Sequence, residues 1–286
     1  MVYKILIVGL KERDAGKTSL ACAILDYFRE RGYAVCGFKP RAGNSIWYDY
    51  DVVQEALSRG RLYGKDAKLL RLASSPRPPA AATGALEEEF VNPFHRLWTE
   101  PPHIDPVTRI PYFVIDRVTL WRKSEATNLV VVNDALPTEY RYDETLFTEL
   151  CAGASRIFHV HDLNTLNKLT SEYYNRAAEQ AFMLMRREYE LIVIESYSDV
   201  ALPLPYSTLK DVDAVIGIKP GKIFVFEPEK YLTAVQLEAS IRIQAEEPPT
   251  SEIVELLKPV REIRVPPLRS DEVVPQLKKR VPLILK

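Results

Sequence analysis

The sequence predicts an α/β fold, a doubly wound and mostly parallel sheet with helices on both faces, carrying an inserted antiparallel ribbon. Three observations predict it. Short apolar, β-branched runs recur between helix-spaced segments, as strands covered on both faces require. The first 40 residues read strand, phosphate-sized loop, helix, strand, which is one βαβ crossover. The chain has 286 residues, 47% of them hydrophobic and 27% charged, enough to bury a sizeable core and too apolar for extended disorder. The expectation is a single domain over residues 1–286 with an insertion at about 76–149.

The elements follow in order. Tyr3-Lys4-Ile5-Leu6-Ile7-Val8-Gly9 is a buried strand. Residues 17–31 have helical spacing and stop at Gly32, and residues 34–38 form the second strand. Strands are expected at 156–160, 190–194 and 213–218, with a helix at 171–187 between the first two. The remainder reads as helices at 228–244 and 250–257, a short strand at 262–265 and a last helix near 271–280. Proline clusters at 76–79, 101–111, 203–205, 248–249 and 266–267 punctuate the chain. Between about 76 and 149 the periodicity is poorer, and two alternating runs, 112–121 and 128–133, are expected to pair as an antiparallel ribbon, either as an insertion over the active face or as an edge extension of the sheet.

Charge and cysteine usage narrow the functional classes. Lys and Arg number 38 against 39 Asp and Glu, a net charge of -1, so no global field gathers nucleic acid or acidic lipid. Any anion site must be local. Cys22, Cys36 and Cys151 are odd in number and lack metal-ligand spacing, which argues against a disulfide framework or structural zinc and for a reducing, cytoplasmic setting. The first ten residues read as a strand rather than a secretory leader, and no apolar run approaches a membrane span.

The strongest chemical signal is Lys11-Glu12-Arg13-Asp14-Ala15-Gly16-Lys17-Thr18-Ser19, between a buried strand and a helix. A phosphate-binding loop needs backbone N–H groups aimed at the anion, a lysine for the outer phosphates and a hydroxyl for Mg²⁺, all at a helix N-terminus. Gly16, Lys17 and Thr18 supply these. Arg13, Asp14, Ala15 and Ser19 complete the expected nucleotide-binding stretch. The GxxxxGK[ST] spacing asks for glycine at Lys11, and Gly9 stands two positions early. Glu195, directly after an apolar run, falls at the carboxyl end of a parallel strand, where ligands of open α/β sheets collect. With Asp66 it can serve Mg²⁺ beside the Thr18 hydroxyl, although Asp49 and Asp51 rival Asp66 for that role. Lys39, at the end of the second strand, can neutralise developing phosphate charge. Lys17 and Lys39 are thus the expected catalytic cations.

This order of motifs resembles dethiobiotin synthetase and its relatives in the P-loop NTPase class, which includes the cobyrinic acid amide synthetases and the MinD-type ATPases. Gly37-Phe38-Lys39-Pro40 is similar to the synthetase's second-strand element, and Gly64-Lys65-Asp66-Ala67 to its magnesium-binding segment. Asn92-Pro93 followed by Glu100-Pro101-Pro102-His103 resembles a third stretch, Ile192-Val193-Ile194-Glu195 a fourth, and Val215-Ile216-Gly217 through Gly221 a fifth. The resemblance spans about residues 1–239. It implies ATP and Mg²⁺ as cofactors, transfer of the terminal phosphoryl group to activate a small acid or carbamate, a small-molecule substrate and a homodimer.

The same resemblance also marks departures. Ser196-Tyr197-Ser198-Asp199 replaces the synthetase's glycine-rich loop, so Tyr197 and Asp199 are expected to crowd the acceptor pocket, and Gly43 stands where a hydroxyl is usual. The alternative reading is a nucleotide-dependent switch or assembly ATPase of the MinD type. For that role Lys11 stands one residue earlier than the pattern asks, with Glu12 in its place.

Other motifs carry less. His159 and His161 share a strand face with no third ligand apparent, which favours hydrogen bonding over metal. Asn167-Lys168-Leu169-Thr170 lacks the carboxylate of a guanine-reading motif. Phe94, Trp98, Tyr112, Phe113 and Trp121, interleaved with arginines, are expected to pack the insertion rather than stack on bases.

Overall fold

Apolar runs that the sequence assigns to one sheet are shared between two. The computed structural model describes residues 2–11, 14–45, 47–76, 87–99, 103–122, 125–140, 148–149, 151–241 and 247–286. Its strands are β1 (Tyr3–Gly9), β2 (Val35–Phe38), β3 (Arg41–Ser45), β4 (Phe94–Trp98), β5 (Phe113–Arg122) and β6 (Glu125–Asn133). They continue with β7 (Arg156–Val160), β8 (Leu191–Glu195), β9 (Ala214–Lys219), β10 (Lys222–Phe226) and β11 (Arg261–Arg264). The result is an α/β chain with two mixed sheets, in the orders β11-β10-β9-β1-β8-β2 and β3-β4-β5-β6-β7. It divides into two compact units. The first holds Met1–Pro40, Leu69–Arg77 and Met185–Lys286, and the second Arg41–Lys68 and Pro78–Leu184.

The first unit matches the expected crossover closely. β1, β2, β8 and β9 are mutually parallel, with β8 lying between β1 and β2. Ile5, Leu6, Ile7 and Val8 are fully buried, as are Ile192, Val193 and Ile194, which is why both strands read as unbroken apolar runs. Helix α1 (Lys17–Arg29) buries Leu20, Ala21, Ala23, Ile24 and Leu25. It ends two residues before the expected position, and Gly32 takes φ +85 in the turn that follows. The parallel run does not continue to the edge. β10 returns antiparallel to β9 through the two-residue turn Pro220-Gly221, and β11 pairs antiparallel with β10. The helix expected at 228–244 runs Pro228–Ile241, and residues 242–246 lie outside the described ones.

The second unit corrects the single-sheet reading. The expected ribbon exists, since β5 and β6 pair antiparallel from Ile115↔Val132 to Arg122↔Glu125. It is the centre of a five-stranded sheet that also takes in β3, β4 and β7. The strand at 156–160, expected in the same sheet as β1, instead pairs parallel with β6 here. Its partner β6 is buried on both faces, Leu129 and Val131 in one apolar cluster and Val130 and Val132 in another, whereas β7 buries only Val160 and so carries no pattern of its own that assigns it to a sheet. The helix expected at 171–187 is longer and irregular. It starts as Leu163–Leu169, capped by Asp162, which accepts from Thr165 N–H at 2.8 Å. It loosens to a π-helical turn at Thr170–Tyr174 and resumes as Asn175–Glu188. Among the described residues no helix is long and apolar enough to cross a membrane.

Candidate functional site

Strand register in the first sheet assembles the site. Ile7 pairs with Glu195 and Phe38 with Ile194, so the residue after β2, Lys39, comes level with Glu195 at the carboxyl end of the parallel strands. Lys39 Nζ donates to Glu195 Oε1 at 2.8 Å, with the two side chains 7% and 1% exposed. Thr18 Oγ1, from the first turn of α1, donates to the same oxygen at 2.9 Å. Burying a carboxylate this deeply is costly unless it is paired and hydrogen-bonded, and here a cation and a hydroxyl both serve it. Three expected site residues from positions 18, 39 and 195 therefore meet at one atom.

The expected anion site is the N-terminus of α1. Gly16 occupies the N-cap position at φ 92, ψ 15, and no side chain caps the helix there. Its first turn holds no acidic residue, so the positive end of the helix dipole is unopposed by a neighbouring carboxylate of that turn. Asp14 also adopts a left-handed backbone, φ 52, which costs a non-glycine residue about 1–3 kcal/mol and is concentrated at functional sites. Ala15 is buried and Ser19 half-buried. Arg13 and Glu12 lie outside the described residues.

Two residues that sequence reasoning missed position Lys17. Its ammonium donates to the backbone carbonyl of Ser198, in the stretch after β8, and Ser198 is itself left-handed at φ 46. The stem passes over Gly9: a Cβ added there would stand 2.7 Å from Lys17 Nζ and 3.2 Å from its Cδ. Gly9 therefore clears the path of the lysine from the end of β1, a role that its offset from the usual spacing concealed. The crowding expected of Tyr197 and Asp199 also takes a different form. Tyr197 donates to the Glu247 carboxylate, and Asp199 accepts from the Ser251 hydroxyl at 3.4 Å. Both side chains brace the segment that leads into the helix Thr250–Glu255.

Asp66 belongs to the second unit, in the first turn of the helix Lys65–Ala73. One charged neighbour is Asp49, whose carboxyl is pushed above its ordinary range by burial and then by Asp66 itself, with Lys65 opposing. Asp51 stands in the first turn of Tyr50–Ser58 and is exposed. Elsewhere in this unit one charge cluster is locked between strands. Arg96 and Asp116 face each other across β4 and β5 and form a two-pronged pair at 2.7 and 2.6 Å, and Tyr174 donates to Asp116 at 2.7 Å. Burial and the adjacent Asp116 carboxylate raise the Tyr174 phenol well above its usual value. The arginine lies over the Phe113 ring at 4.3 Å, and Phe94, Phe113 and Trp121 are buried, so these rings pack the protein as expected. Arg117, 3% exposed, donates to the carbonyls of Leu62 and Asn92 and to Thr119, and desolvation lowers its guanidinium to about 10.

No family model matches the chain, and no curated protein matches it in sequence.

Proposed function

We propose that the first unit binds a nucleoside triphosphate with Mg²⁺, ATP by the family resemblance, and that the protein transfers its terminal phosphoryl group to a small acid or carbamate. The observation that carries this reading is the convergence of Thr18 and Lys39 on Glu195 Oε1 beside the uncapped N-terminus of α1. The donor set fits the ion: a hydroxyl and one carboxylate are what Mg²⁺ takes from a protein while retaining water. Bound Mg²⁺ would supply charge neutralisation on the phosphate oxygens.

The chain's own residues do the rest. The backbone N–H groups of the first turn of α1 hold the phosphates. Lys17 exchanges its carbonyl partner for phosphate oxygen, a stronger, charge-assisted bond. Lys39 stabilises charge that develops during transfer, and no protein nucleophile is required because such transfer depends on positioning and electrostatics. The MinD-type switch gains no specific support, because Glu12, at its diagnostic position, lies outside the described residues.

Calorimetric titration of ATP with Mg²⁺ tests the reading. Saturable binding that Lys17→Ala removes supports it, and undiminished binding by that variant overturns it. Size-exclusion chromatography with a non-hydrolysable analogue then tests the homodimer.

A further inference from the structure

The first sheet has two edges, and the chain treats them differently. At β2 a later segment satisfies the outer backbone: Val35 N–H donates to Ser75 Oγ at 3.0 Å and Gly37 N–H to Ser74 Oγ at 2.9 Å, while Ser75 N–H donates to Val35 O at 2.8 Å. At β11 the outer side has no strand partner among the described residues.

The register shows which groups that edge presents. Val265 N–H donates to Gly221 O at 2.9 Å, and Ile263 pairs with Ile223 of β10. Alternate residues of an antiparallel strand turn both backbone groups toward the same neighbour, so Glu262 and Arg264 turn theirs outward. Their side chains are exposed on one face of the sheet. On the other face Arg261 donates to the carbonyls of Leu283 and Ile284 at 2.6 and 3.3 Å, which anchors the strand.

Charge along this edge selects what can pair with it. Lys222 stands directly opposite Arg264, a like-charge pair, and Lys222 Nζ meets Glu262 Oε1 at 2.7 Å. Exposed charge on an edge strand ordinarily keeps other strands away. An antiparallel second copy centred on Ile263 escapes that penalty, because Glu262 falls opposite the partner's Arg264 and Arg264 opposite the partner's Glu262. Centring on Glu262 or on Arg264 instead puts that charge opposite itself. At the ends Val260, 63% exposed, falls opposite the partner's Pro266. Val260 N–H already donates to Val225 O at 2.8 Å and proline has no N–H, so the ladder stops without a stranded donor.

We propose that β11 joins a second copy of this chain about a two-fold axis at Ile263, the backbone groups of Glu262 and Arg264 on each strand bonding to the other and their side chains forming reciprocal ion pairs. The proposal goes beyond the nucleotide reading and is tested without nucleotide, so either can fail alone.

Sedimentation equilibrium of the full chain should report a reversible monomer–dimer association. Glu262→Arg and Arg264→Glu set like charges face to face at both contacts and should each weaken it by about tenfold or more. The double variant exchanges the signs and should return the affinity to within about threefold of the unaltered chain. Glu262→Pro removes an outward N–H that β10 does not use and should abolish the dimer. Lys230→Glu, at a 71% exposed side chain on the helix Pro228–Ile241, should leave affinity within about twofold. Circular dichroism verifies that the variants fold. A monomer at every concentration, a dimer that folded Glu262→Pro leaves intact, or a double variant no tighter than the single ones overturns the assignment.

Discussion

The two units place buried charge at different points along their strands. In the first, Lys17, Lys39 and Glu195 gather around the ends of parallel strands, the Lys17 ammonium meeting the Ser198 carbonyl. In the second, Asp116 sits within a strand and is held from several sides, by Arg96 and Tyr174. Strand-end groups can change partner without unmaking the sheet, whereas mid-strand groups cannot. The first arrangement suits ligand exchange, and the second suits rigidity.

The largest expected effect breaks the second arrangement. Asp116→Asn leaves Arg96 buried without its counter-charge and should destabilise the protein by about 3–5 kcal/mol, read from urea unfolding. A loss below about 1 kcal/mol would erase the contrast between the units. Lys17→Ala should do the reverse, weakening nucleotide binding by about 2–3 kcal/mol, roughly 30- to 150-fold, while moving the unfolding midpoint little. Gly9→Ala sharpens the point, because it touches no phosphate. Its methyl group displaces the lysine stem, and calorimetry should report a loss of about tenfold in affinity, equivalent to about 1.4 kcal/mol.

The smallest effect concerns an exposed turn. The Asp105 carboxylate accepts from the Thr108 and Val107 N–H groups and from Tyr112, which lowers its carboxyl from 3.8 to about 2. Because the folded value is depressed, this contribution is complete above the unfolded value and is lost as pH falls through about 2. Carboxyl chemical shifts followed from pH 5 downward should titrate at about 2; a midpoint near 4 would mean that the turn is open.

The same contrast explains what the sequence disclosed. Asp14 to Ser19 is a local pattern, and Glu195 and Lys39 each end an apolar run, so they stand out along the chain as candidates. Ser198 and Gly9 were not, because their meeting with Lys17 depends on tertiary placement around the strand ends. The Arg96–Asp116 pair was equally hidden, being set by antiparallel register across β4 and β5. β7 buries only Val160 of its five residues, so its own pattern does not say which sheet it joins, and it was assigned to the wrong one. β3, with the sequence Arg-Ala-Gly-Asn-Ser, carries no apolar period at all. Asp134 escaped notice as a partner of His159 and His161 because it lies 25 residues from the nearer of them.

The π-helical turn at Thr170–Tyr174 behaves as a phase adjuster. A regular helix advances about 100° per residue, so one residue accommodated in a wider turn re-aims everything downstream of it. Downstream lie Ala177, Ala178, Ala181 and Phe182, all buried, and the turn itself ends on the phenol that reaches Asp116. Trimming a single residue from that turn would not merely shorten the rod. It would roll its greasy side toward water, which makes insertion and deletion there far harsher than any point substitution on the outer surface.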